Sequence, residues 1–142
     1  MPRNLMQFTT LTFQANIPAA DDPGAFVDPQ PTSEGERYLL ALLESKRALN
    51  VALDALIARA AVSSGEESAY IEIQKGNIRA DYLKLDAMLK AYLSSRAVFR
   101  TFSDEEVVRI RAILDRMQAF RAQMENASEI LAAVTELLNE WS

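Results

Sequence analysis

The chain has 142 residues, about one domain, and carries 15 Lys and Arg against 20 Asp and Glu for a net charge of -5, which argues against a sequence-independent grip on nucleic acid through phosphate neutralisation. It contains no Cys and no His, so disulfides, thiol nucleophiles, Ser-His and Cys-His pairs, zinc sites and the Glu-x-x-His ligands of di-iron bundles are excluded, and no cofactor or metal is expected. No run of 18 uncharged apolar residues occurs and no long apolar block follows Arg3, so neither a membrane span nor a secretory signal is expected and the chain reads as cytoplasmic.

The first element is an arm. All five prolines (Pro2, Pro18, Pro23, Pro29 and Pro31) fall within the first 31 residues, a density that no helix tolerates. Between them, Leu11, Phe13, Ala15 and Ile17 alternate with Thr12, Gln14 and Asn16, the period of two that belongs to a half-buried extended strand. Leu5, Phe8, Leu11, Phe13 and Ile17 form an apolar load heavy for a solvated tail. Residues 1–32 are therefore expected to form an extended N-terminal interaction arm, ordered from about Leu5 to Ile17. Its destination is open: its own bundle, a dimer mate, or another protein.

Residues 33–142 are rich in Ala, Leu, Glu and Arg, residues of high helix propensity. Ser33 and Glu36 have the spacing of a capping box, which predicts a first helix over about 34–62. Leu39, Leu42, Leu49, Leu53 and Leu56 mark its apolar face, with Lys46 at the seam position that breaks the series. SSGEES at 63–68 supplies a turn. A second helix is predicted over about 66–99, with Ile71, Ile78, Leu85, Tyr92 and Phe99 repeating every seven residues and Lys75, Tyr82, Leu89 and Arg96 between them.

Ser103 and Glu106 form another capping-box pattern and open a third helix expected to reach Trp141. Two apolar stripes run along it, one through Ile110, Met117, Met124, Leu131 and Leu138, the other through Ile113, Phe120, Ala127, Val134 and Trp141. Two stripes suit a helix with two neighbours, and the surplus of apolar seam positions predicts a homodimer. The fold class is thus all-α: an elongated, antiparallel, up-down-up three-helix bundle carrying the extended arm.

Few residues carry chemistry. Counting heights across the two predicted turns puts Lys46, Tyr82 and Arg121 in one layer, with Asp81 and Glu125 near in sequence. Such a layer either fixes register or holds an anion between two cations. The acidic pairs Glu66 with Glu67 and Glu105 with Glu106 fall in the first turns of helices, where the dipole favours negative charge. Gly76 sits mid-helix at a cost of about 1 kcal/mol relative to Ala.

By elimination, the expected function is a non-enzymatic protein-interaction module: an adaptor, assembly factor or chaperone-like protein that binds another protein. Arg outnumbers Lys by 11 to 4 and Ala appears 22 times, a composition that points to a bacterial source. The alternative is a small all-helical enzyme or anion-binding bundle built on the Lys46/Tyr82/Arg121 layer.

Overall fold

The computed structural model describes residues 33–142, which form four α-helices and no strand among them: α1 (Glu34–Ala60), α2 (Gly65–Ser95), α3 (Asp104–Gln123) and α4 (Ala127–Asn139). The arm, with Leu5, Phe8, Leu11, Phe13 and Ile17, lies outside the described residues. The helical class expected from composition and period holds over the described residues. The expected count of three helices does not.

Both predicted capping boxes are closed. Ser33 Oγ accepts from the Glu36 amide at 3.1 Å while the Glu36 carboxylate accepts from the Ser33 amide at 2.9 Å. Ser103 and Glu106 repeat the exchange at 3.1 and 2.8 Å. Two orphan amides are satisfied at each helix start.

The expected third helix is in fact two. Met124 adopts left-handed backbone at φ 51° and ψ 48°, and Asn126 then turns extended and accepts from the Glu129 amide at 3.0 Å, capping a new helix. A non-glycine residue in the left-handed region ends an α-helix as surely as a glycine does, at a cost of about 1–2 kcal/mol. The heptad stripes run through this break without losing phase, so periodicity alone does not reveal it. The second helix also stops early: Arg96 is left-handed at φ 60°, and its guanidinium stacks 5.2 Å from the Tyr92 ring centre. Phe99, counted as a seam residue, is 64% exposed.

Ion pairs define the topology. Arg37 faces Asp104 at 4.0 Å, Arg111 faces Glu44 at 3.1 Å and Arg121 faces Asp54 at 3.5 Å, a constant offset of 67 residues (104 − 37, 111 − 44, 121 − 54) that makes α1 and α3 parallel. Between α1 and α2 the pairs run the other way, Lys46 with Asp86 and Arg59 with Glu67. Between α3 and α4 they do likewise, Arg116 with Glu136 and Arg109 with Glu140. The order is up-down-up-down.

α1 is the common spine, packed against all three other helices, whereas α2 packs along α1. The burial pattern follows. α1 buries ten residues, among them Tyr38, Leu42, Leu49 and Leu56, but the longer α2 buries Ile71, Ile78 and Leu85 alone. At roughly 2 kcal/mol per aliphatic side chain, those three contribute about 6 kcal/mol to holding α2 in place. At one end of the spine Tyr38, Tyr92, Phe102 and Trp141 form an aromatic cluster, with Phe102 and Trp141 edge to face at 4.7 Å. Trp141 Nε1 donates to the buried Ser45 Oγ at 2.8 Å, tying the residue beyond α4 to the middle of α1. Gly35 admits this cluster, because a Cβ there would lie 2.8 Å from the Tyr92 hydroxyl.

Candidate functional site

The antiparallel α1–α2 pair brings Lys46 over Tyr82, with its ammonium 5.1 Å from the ring centre. The cation is also bonded to a carboxylate. Lys46 Nζ donates to Asp86 Oδ1 at 2.7 Å, and Lys90 reaches Asp86 Oδ2 at 3.0 Å. Hydrogen bonds from Lys46 first and Lys90 second hold the Asp86 carboxyl below its ordinary pKa. The Lys46 side chain keeps only 14% of its exposure. It is a cation lying on an aromatic face with its charge already answered.

Arg121 is elsewhere. Because α3 packs beside α1 rather than beside α2, Arg121 stands level with Asp54, two helical turns beyond Lys46, and pairs with that carboxylate at 3.5 Å. The structure therefore brings Lys46 and Tyr82 together and leaves Arg121 apart, so no pair of cations flanks a common space there. Sequence reasoning missed Asp86, although its place one turn after Tyr82 on the same face was the available signal. Among the described residues no cluster of acidic groups has the arrangement of a metal site.

A second candidate lies where α2 and α4 begin. Arg59, at the end of α1, grips the Glu67 carboxylate at 3.1 Å, and the same carboxylate accepts from the Ala127 amide at 3.3 Å. Arg59 and then the Ala127 amide hold the Glu67 pKa low. One of the first-turn acids of α2 thus also serves the N-terminus of α4. Beside this knot is an open groove of about 670 Å³, whose walls include Ala69, Tyr70 and Ile73 from α2 and Ser128 of α4 with its cap Asn126. Its polar side chains on the α4 side are consumed by capping, since Ser128 Oγ donates to Asn126 Oδ1 at 2.7 Å and Asn126 serves the Glu129 amide. What the groove offers a ligand is mostly apolar wall.

The third feature is the outer side of α2. Ile73, Gly76, Ala80, Leu83 and Ala87 follow 3-4-3-4 spacing opposite the Ile71/Ile78/Leu85 seam, and all five are exposed, Ile73 and Leu83 at 64% each. The apolar residues of α2 are thus divided between two opposed faces. The alternating spacing was the signal for the second face, hidden by the stronger heptad through Ile71.

Comparison with protein-family models, with characterised proteins and with solved structures finds no match to this chain.

Proposed function

We propose that the chain is a non-enzymatic helical interaction module, acting as an adaptor, assembly factor or chaperone-like protein in a bacterial cytoplasm, and that it works as a homodimer. The carrying observation is α2: a 31-residue helix that buries one seam against α1 while a second face bearing Ile73 and Leu83 stands open. A helix with two apolar faces and one neighbour is built to accept another. The chemistry of the polar layer supports this reading over a catalytic one, because Lys46 and Arg121 are each paired with a carboxylate and do not converge. Among the described residues no helix is long and apolar enough to cross a membrane.

The test is affinity capture from the native host with mass spectrometry, comparing the wild-type chain with Leu83→Glu, Lys46→Met and Arg121→Leu. A partner retained by Lys46→Met and Arg121→Leu but lost with the open face altered is the expected result. Removal of residues 1–18 tests the arm, with a lower melting temperature or a dissociated dimer expected. Affinity for a small anion such as phosphate or citrate that disappears in Lys46→Met or Arg121→Leu would overturn the interaction reading.

A further inference from the structure

Extending the 3-4 spacing of the open α2 face one step in each direction adds Ala69 before Ile73 and Lys90 after Ala87, and then Glu66 and Ser94 at the ends; every one of these positions is exposed. The sequence of side-chain sizes along this stripe has a property that the buried seam lacks. Read backwards, it complements itself.

We propose that this face of α2 binds the same face of a second copy of the chain, antiparallel, on a two-fold axis passing through Ala80. In that register residue numbers facing each other sum to about 160, as a two-fold axis through Ala80 requires. Ile73 then lies over the partner copy's small residue 87, and Leu83 over the glycine at 76, so each large side chain meets a small one. Glu66 at one end of the stripe faces Ser94 at the other, and Lys90 faces the small Ala69, so no like charges meet along it. More broadly, the exposed charges of α2 are acidic in its first quarter, Glu66 and Glu72, and basic from the middle onward, Arg79, Lys84 and Lys90. Antiparallel packing sets the acidic start of one copy beside the basic end of the other, whereas parallel packing sets like against like.

Gly76 supports this occupant independently. A Cβ built on it meets nothing within 4 Å, so the fold of one chain has no use for its bareness, yet it sits inside a long helix. Close approach by the Leu83 of a second copy gives that position a use. The stripe from 66 to 94 is about 43 Å long at 1.5 Å per residue, and one helix pair of that length buries less than the roughly 800 Å² per partner of a standard interface, so the dissociation constant is expected on the order of 10 μM.

This inference rests on the interaction reading and gives the open face to a second copy, so a captured partner lost with Leu83→Glu is one that binds the dimer; the two fail separately, since that partner is read by capture and the dimer by mass. Sedimentation equilibrium from about 1 to 200 μM is expected to show a rise from the mass of one chain to that of two, with the midpoint shifted at least tenfold upward in Leu83→Glu. The chain contains no cysteine, so single substitutions report geometry. Ala80→Cys, on the axis, should close a disulfide with its own copy under mild oxidation. Gly76→Cys should not, its two copies lying about 12 Å apart along the helices, beyond disulfide reach. A mixture of Ile73→Cys and Ala87→Cys chains should cross-link to each other. A constant one-chain mass to 200 μM overturns the proposal, and so does Gly76→Cys closing as readily as Ala80→Cys, which indicates parallel or unspecific contact.

Discussion

The break between α3 and α4 makes a prediction whose sign, rather than size, decides it. Met124 holds φ 51° at the end of α3 and is 47% exposed. Replacing it removes the same half-buried side chain whether the new residue is glycine or alanine, so the difference between those variants isolates the backbone. With the left-handed conformation seen here, Met124→Gly is the more stable of the two by about 1 kcal/mol, because alanine bears the Cβ clash that glycine lacks. Had the chain continued as one helix through this point, Met124→Ala would be the more stable by about 1 kcal/mol on helix propensity. The two architectures therefore differ by about 2 kcal/mol in one measured quantity. Urea unfolding of both variants, followed by circular dichroism at low micromolar concentration, resolves this. In thermal scans each kcal/mol corresponds to about 4 °C for a chain of this size. Met124→Ala proving the more stable variant would refute the four-helix account.

Other consequences follow from single contacts. Trp141→Phe keeps the aromatic cluster but deprives the buried Ser45 hydroxyl of its donor, and is expected to cost about 1–2 kcal/mol, part of which Ser45→Ala in the same chain recovers; a strictly additive double-mutant cycle would show that the bond contributes nothing. Gly76→Ala, with open space for its Cβ, should stabilise the single chain by about 1 kcal/mol at concentrations below dimerisation, and a loss there would mean the glycine has a partner within its own fold. Glu106 is held at a pKa of about 2, against an ordinary 4.5, chiefly by the Arg100 guanidinium and then by the Ser103 amide. A depressed carboxyl contributes stability that is fully present above about pH 4.5 and is lost as the pH falls towards 2, so the stability gap between wild type and Glu106→Gln should be open at pH 7 and close across that window. A gap unchanged by pH would show that capping geometry alone, without the charge, supports α3.

The local grammar of this chain was legible and its longer-range geometry was only partly so. Ser33 with Glu36 and Ser103 with Glu106 marked two helix starts because a capping box is a contact over three residues, complete within the sequence that encodes it. Counting heights across the turn at 61–64 puts Lys46 opposite Tyr82, and the two lie 5.1 Å from ammonium to ring centre, since a short turn between antiparallel helices leaves little freedom. Arg121 escaped the same arithmetic. Its height was counted against α2, but the 96–103 connection lets α3 swing across to lie beside α1, and nothing in a seven-residue period says which helix is the neighbour. The stop at Met124 was hidden because methionine is a good helix former, and only Asn126 followed by Glu129 hinted at a restart. The doubled stripe expected to drive dimerisation through the third helix is, apart from Met124, covered within the chain once that helix folds back as α3 and α4. The surplus apolar face belongs to α2.

The position of α1 as spine has a consequence for how the chain acquires its structure. It leaves the ribosome before the other three described helices, yet its burial depends on them, and the ion pairs that align it with α3 span 67 residues while Trp141 reaches Ser45 across 96. The hairpin with α2 can close early, covering one side of Leu42, Leu49 and Leu56. The side meant for α3 and α4 stays wet meanwhile. At roughly 5–20 residues per second, translation from the end of α1 to the end of α4 takes about 4–16 s, long on the scale of hydrophobic collapse. Ala48, Ala52 and Ala55, all buried in the finished protein, are well suited to that interval: small side chains among the leucines keep the waiting helix less adhesive than an unbroken leucine face, and leave room for α3 and α4 to arrive close.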